Sequence, residues 1–220
     1  MVLLNDHMDL ILQSNNVINT LFYSIHPIDI STVIKDYRNL KIDVMTLNRV
    51  DEDHIVLNNM YDLIITFLSL HYSNDLIGSL IQYQRYLQAR GSFLSIMFGG
   101  NTLIELKKCF IETDTKIYQR SFPRVIPMIE IESITSILKR ANYHNSIISI
   151  EKIELHYNNL QHLLYDLKNL GQKNFLLLKN THYDYKSYFR QVESLYLQEF
   201  GVKGKIVATF EYIILLYIND

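Results

Sequence analysis

Residues 61–108 read YDLIITFLSLHYSNDLIGSLIQYQRYLQARGSFLSIMFGGNTLIELKK. Tyr61-Asp62 opens a nearly continuous apolar run, Leu63 to Leu70, rich in β-branched and aromatic residues. A run of that kind fits a strand covered on both faces, as in a parallel sheet; a half-exposed strand would alternate. His71-Tyr72-Ser73-Asn74-Asp75 breaks the run. Leu76, Leu80, Tyr83 and Leu87, with Ile77 and Ile81 beside them, then recur at helical spacing. Arg90-Gly91 is the expected stop for that helix, a cation followed by a glycine. Phe93 to Phe98 reads as a second buried strand. Strand, helix and strand in this order form one right-handed crossover unit, so the chain is expected to be α/β.

Upstream, residues 2–13 read as a short amphipathic helix with Leu3, Leu4, Leu10 and Ile11 inward, broken at Asn15-Asn16. Val17 to Ser24 looks like a strand, and Ile25-His26-Pro27-Ile28-Asp29 like the loop that follows it. Asp29 or Ser31 could cap a helix from Ile30 to Asn39. Lys41 to Leu47 is a second strand, and His54 to Leu57 a short third. Downstream, Asn101 or Thr102 could cap a helix from Leu103 to about Phe110, with Glu105 in its first turn. Residues 112–128 are polar, contain Pro123 and Pro127, and read as a loop. Ile129 to Arg140 carries isoleucines and leucine at core spacing. Tyr143 to Leu155 reads as a strand, and Leu160 to Leu170 as a helix stopped by Gly171. Residues 184–200 read as a helix with Tyr188, Val192, Leu195 and Tyr196 inward. Gly201 and Gly204 make a turn, and Val207 to Ile218 is the last strand. No repeat or low-complexity linker interrupts the 220 residues, a length that one core can serve.

Composition bounds the function. Hydrophobic residues make up 48% and charged residues 20%, values of a globular protein. The net charge of −2 offers no basic field for nucleic acid. The single cysteine, Cys109, excludes an internal disulfide and a cysteine-rich metal site, and a reducing, cytoplasmic location is expected. The eight histidines lack metal-ligand spacing. No nucleophile–base signature stands out. MVLLNDHMDL has two aspartates and no basic leader, a poor secretory signal or transit peptide. No apolar run reaches the length of a membrane span.

The words YDLIITFLSLHYSNDL, GSFLSIMFGGNTLIELKK, the segment ending SFPRVIPM, and IELHYNNLQHLLYDLKNLGQKN occur in this order. Together they resemble the class I S-adenosylmethionine (SAM) methyltransferases. Within that fold the chain is similar to the malonyl-ACP O-methyltransferases of biotin synthesis and to the methyltransferase-like assembly factors of respiratory complex I. The resemblance implies a single Rossmann-like methyltransferase sheet over residues 1–220, shortened in its N-terminal half, with a helical lid before the last strand. Residues 1–60 would be the cofactor half, 61–110 the best-matching core, 111–205 the lid and sixth-strand region, and 206–220 the last strand.

The resemblance also locates a site. In such folds a glycine-rich loop after the first strand lets the backbone approach the cofactor. Here no glycine precedes Gly78, and Ile-His-Pro stands in the loop's place, with one N–H fewer. The acidic residue expected after the second strand is missing too; Asn48 stands nearest, and Asp51, Glu52 and Asp53 follow. Asn19, Tyr23, His26 or Asn48 could compensate. The cofactor-binding set implied is Tyr23, His26, Asn48, Leu70 and His71, and the substrate-binding set is Tyr72, Gly99, Gly100, Asn101, Arg120 and Arg124. His71-Tyr72 could equally be a strand-end packing pair, and Gly99-Gly100 a plain tight turn. Arginines are apt anchors for the carboxylate of a malonyl group, through a bidentate fork, although surface arginines are common.

Two functions follow from the resemblance. One is SAM-dependent methylation of the free carboxyl of malonyl-ACP, with acyl carrier protein as partner. The other is a catalytically degenerate assembly factor for complex I, from a family also associated with arginine hydroxylation.

Overall fold

Strand β3, Tyr61–Phe67, forms where the apolar run predicts it, and Leu63, Ile64 and Ile65 are wholly buried. The computed structural model describes residues 8, 11, 19–34, 40–46, 57–172 and 185–219. Among them the strands are β1 (Asn19–Ser24), β2 (Lys41–Thr46), β3, β4 (Leu87–Phe98), β5 (Ser146–Tyr157), β6 (Gly201–Val202) and β7 (Lys205–Ile218). The helices are α1 (Leu76–Arg85), α2 (Ile104–Tyr118), α3 (Ile131–Arg140), α4 (Leu160–Asn169) and α5 (Tyr185–Phe200). The seven strands make one sheet in the order β2-β1-β3-β4-β7-β5, with β6 paired to β7. β1 runs parallel to β2 and β3, β3 runs parallel to β4, and β7 is antiparallel to β4. The carboxyl ends of β1, β2, β3 and β4 therefore share one edge. This mixed α/β sheet is the Rossmann-like arrangement expected.

Contacts divide the chain into two compact units. One comprises Met1–Gly99, Ile129–Glu151 and Tyr212–Asp220, the other Gly100–Met128 and Lys152–Glu211.

The first unit is built on β1, β3, β4 and the end of β7. One face of this sheet packs Leu21, Ile64, Phe93, Met97, Ile213 and Leu215 against Leu80 and Tyr83 of α1 and Ile134 and Leu138 of α3. Each such side chain, fully buried, contributes roughly 1.5–3 kcal/mol of hydrophobic stabilisation. Aromatic rings knit the layer, with Phe93 edge-on to Tyr143 at 5.7 Å. The Tyr143 hydroxyl donates to the Leu80 carbonyl at 2.8 Å, so burial leaves it satisfied.

Helix α1 starts at Asp75, whose side chain accepts from the Gly78 N–H. It ends at Arg85 rather than at Arg90-Gly91. Leu87 already pairs with Tyr61, and the β3–β4 register shifts between Tyr61 and Leu63. Arg90, with φ of 62°, and Gly91 lie in the irregular start of β4. A Cβ on Gly91 would stand 2.9 Å from the Gln88 carbonyl and 3.1 Å from that of Tyr61, so the glycine serves close backbone approach inside a strand. A cation–glycine pair reads alike in both settings, which is why the sequence pointed to a helix stop.

In the second unit α2 runs to Tyr118, about two turns past the expected end, so residues 112–118 are helix and the loop begins at Gln119. Glu112, Thr115 and Lys116 occupy its solvent face, while Thr113 and Asp114 face inward. Neither Asn101 nor Thr102 caps α2: Leu103 occupies the N-cap position, and its N–H donates to the Thr209 carbonyl at 2.7 Å. Tyr188, Val192, Leu195 and Tyr196 of α5 are buried, as their spacing predicts.

Over Ile30–Thr32 the chain makes a single 3-10 turn capped by Asp29, not the start of a regular α-helix. Residues 35–39, the 2–13 helix apart from positions 8 and 11, and His54 to Val56 lie outside the described residues, and Leu57 is in no strand. Among the described residues no helix is long and apolar enough to cross a membrane.

Candidate active site at the carboxyl edge of the sheet

Beyond β3 the chain makes a 3-10 turn, Leu70–Tyr72, entered through Leu68 with φ of 47° and Ser69. Leu70 and His71 are buried there. The His71 ring lies 4.4 Å from the Tyr72 ring and 5.1 Å from that of Phe98, at the end of β4. Its Nδ1 accepts from the Phe98 N–H at 3.4 Å. Accepting at Nδ1 places the proton of neutral His71 on Nε2, so the two strand ends fix both the ring plane and the tautomer. Leu70, His71 and Tyr72 are thus brought together with Phe98 on one edge of the first unit. Gly99 follows, buried and bridged to Ile129.

Ser69 carries no signal in the sequence that sets it apart. Its side chain is 3% exposed, and its hydroxyl has no hydrogen-bond partner among the described residues. An unpartnered buried hydroxyl is costly, about 1–3 kcal/mol, unless a bound group completes it. At the carboxyl edge of a parallel sheet, where such folds take ligands, that group fits the polar part of a cofactor.

In the loop after β1, Ile25 and Ile28 are half-buried. His26, Pro27 and Asp29 are exposed, and the Ser24 hydroxyl donates to the His26 carbonyl at 2.8 Å to hold the turn. Ser31 donates through both N–H and hydroxyl to Asp29, which lowers the Asp29 pKa.

Two residues expected to compensate for the glycine-free loop point elsewhere. Tyr23 is buried in the core, its ring 6.0 Å from that of Tyr83, because alternation along β1 turns it to the helix-covered face. Asn19 stands at the opposite, amino end of β1, its N–H donating to Asp62. Asn48 and Asp51 to Asp53 lie outside the described residues.

The second unit holds the remaining candidates. Gly100 is buried, and its carbonyl accepts from Lys107 Nζ at 2.7 Å. The Asn101 amide donates through Nδ2 to Glu211 Oε2 at 2.8 Å, and its N–H donates to Oε1 at 3.2 Å. Thr102 Oγ1 donates to the Glu211 carbonyl at 2.9 Å. A carboxylate 110 residues away thereby fixes the Asn101 side chain, a role the sequence does not announce. Arg124 does not stand out as an anchor. Asp114, wholly buried, takes its Nη2 at 2.7 Å and its Nε at 2.9 Å, and also accepts from the Tyr188 hydroxyl and the Phe122 N–H. The guanidinium lies over the Tyr188 ring, 4.5 Å from its centroid. Arg120 is exposed, 4.8 Å above the Phe122 ring. Among the described residues no group of three or more His, Cys, Asp or Glu is placed to hold a metal ion.

No family model matches the chain. Individual proteins do. The mitochondrial arginine-hydroxylase NDUFAF5 of Dictyostelium discoideum is 36% identical over 157 residues, 70% of this chain and 36% of that protein. NDUFAF5 of Mus musculus is 30% identical over 181 residues, 79% of this chain and 51% of its own length. A malonyl-[acyl-carrier protein] O-methyltransferase of Bacillus cytotoxicus is 28% identical over 178 residues, 77% of this chain and 59% of its length. The chain thus spans from about a third to three fifths of these relatives. A candidate methyltransferase of Bacillus halodurans shares the fold, with a TM-score of 0.56 at 8% identity over 96% of this chain and 97% of its own. With the sheet order, that solved structure and these relatives in agreement, the chain is a class I SAM methyltransferase-fold protein, homologous to the NDUFAF5 arginine-hydroxylases and the malonyl-[acyl-carrier protein] O-methyltransferases.

Proposed function

We propose that the chain is a SAM-dependent methyltransferase whose substrate is a carboxylate, the free carboxyl of a malonyl group on an acyl carrier protein. One observation carries the transferase reading: of several buried hydroxyls unpartnered among the described residues, that of Ser69 stands at the carboxyl edge of β3, beside the fixed His71–Tyr72 pair. SAM supplies a methyl group that is already activated, so neither a metal nor a nucleophilic side chain is required. The chain's own residues bind, align and exclude water. Ser69, Leu70 and His71 would hold the cofactor, with exposed His26 taking the position of the glycine-rich loop. Tyr72 and Gly99 would border the substrate. Arg124 is committed to Asp114 and is not free to receive a carboxylate. A carboxylate is nucleophilic without a base, and its methylation removes one negative charge.

The test is calorimetric titration with SAM, followed by transfer of labelled methyl from SAM to malonyl-acyl carrier protein. Binding with transfer supports the proposal; folded protein that leaves SAM unbound ends it.

A second reading has one specific observation in its favour. The relatives named as arginine-hydroxylases match at 36% and 30% identity, against 28% for the malonyl relative. In that reading the chain serves a protein partner, as an assembly factor of complex I, and methyl transfer to malonyl-acyl carrier protein is absent. Mass spectrometry of arginine-containing partner proteins, with and without the chain, distinguishes the two.

A further inference from the structure

Strand β5 ends the sheet order, and among the described residues no strand pairs with its outer edge. It is 12 residues long and holds no proline. Ile147, Ile150, Ile153 and Leu155 are 56%, 45%, 38% and 42% exposed. Ile147, Ile153 and Leu155 share one face, whereas Ile150 is on the other. Long apolar edges are templates for pairing, and proteins normally blunt them with short strands, prolines or bulges. β5 is neither short nor broken by a proline, and its charges are Glu151, Lys152 and Glu154.

The sequence of the strand selects its occupant. Two copies of one edge strand extend a sheet symmetrically only about a two-fold axis normal to it, and the strands are then antiparallel. Residues i and j lie opposite when their numbers sum to a constant, and that constant must be even, because the axis keeps each face on its own side. With the axis at Ile153, the isoleucine meets its own copy. Lys152 then stands opposite Glu154 of the second copy, and Glu154 opposite its Lys152. Within one chain these two side chains already pair at 3.5 Å and are more than half exposed, so a dimer would make a closed square of alternating charge. On the other face Leu155 lies diagonal to Ile153 of the second copy and opposite its Glu151. An axis at Ile150 would set Lys152 against Ile148 and Glu154 against Ser146, leaving the charges unmatched.

We propose that β5 is a self-association edge, through which two copies of this chain join antiparallel about Ile153 into one continuous sheet.

Sedimentation velocity over a dilution series tests this. The expected species has twice the 26.0 kDa of the chain and dissociates on dilution. Ile153→Lys places two cations on the axis and should give monomer throughout. Lys152→Glu and Glu154→Lys should each weaken the dimer about tenfold, and the double variant should restore it. All three side chains are exposed, so circular dichroism should be unchanged. A wild type that is monomeric at every concentration, a dimer indifferent to Ile153→Lys, or a double variant no tighter than the singles overturns the proposal.

Discussion

Arg124 forks onto Asp114, with Nη2 2.7 Å from Oδ1 and Nε 2.9 Å from Oδ2, and the carboxylate is fully buried. Tyr188 adds its hydroxyl to the same carboxylate at 2.7 Å. The pair fastens the loop after α2 to α2 itself and to α5, and it commits to structure a cation that the sequence offered as a substrate anchor.

Breaking this pair strands a charge in the interior. Arg124→Ala should destabilise the protein by about 3 kcal/mol, in the range for a buried pair that loses one partner. Asp114→Ala should cost at least as much, because it also leaves Tyr188 and the Phe122 N–H unmatched. Urea midpoints at constant m-value measure both; a change below about 1 kcal/mol would mark the pair as no more than a surface ion pair.

Ser69 separates a ligand-facing hydroxyl from a structural one. Ser69→Ala removes a polar atom that is unpartnered among the described residues, so stability should be unchanged or raised by up to about 1 kcal/mol. If the hydroxyl completes a bond to the cofactor, SAM affinity should fall about fivefold, the equivalent of roughly 1 kcal/mol. Thermal unfolding and calorimetry on the same samples show whether the two effects move apart; lost stability with unchanged affinity would remove Ser69 from the site.

Gly91 should tolerate no side chain. Gly91→Ala sets a Cβ against the backbone of Gln88 and Tyr61, atoms that cannot turn aside, and should cost about 2 kcal/mol. Gly204, at φ of 74° with open space around it, should lose only about 1 kcal/mol on substitution by alanine, from backbone strain alone. Denaturant unfolding of the two variants should keep that order.

Alkaline pH should unfold this protein early. Burial, then Glu112, Glu199 and Glu105, push the Cys109 thiol from 9.0 up to about 12. Burial first of all also raises Tyr143, Tyr196 and Tyr212 above their ordinary 10.0. In each the folded value lies above the unfolded one. The stability these groups contribute is therefore complete below about pH 9 and is lost as pH rises through the folded values. Urea midpoints should be level from about pH 7 to 8.5 and fall above about pH 9.5. In the same experiment iodoacetamide should alkylate Cys109 only after unfolding, since the thiol is buried and protonated at pH 8.

The sequence by itself determined the buried strands and the main helices. The run at Leu63, the core spacing of α3 and α5, and the long apolar β7 are local patterns, and burial on both faces leaves a local record in side-chain type. It also placed His71 and Tyr72 correctly at the end of β3. What tertiary structure alone decided was where individual side chains point and what they meet. Tyr23 turned inward because the pairing of β1 with β3 sets its face, and the opposite register would have turned it over. Asn101 found Glu211 across 110 residues, and Arg124 found Asp114 across the end of a helix that ran longer than its polar sequence implied. A charge in the sequence is an unspent possibility; its role is fixed only when folding brings a partner within bonding distance, and no local pattern encodes which partner that is.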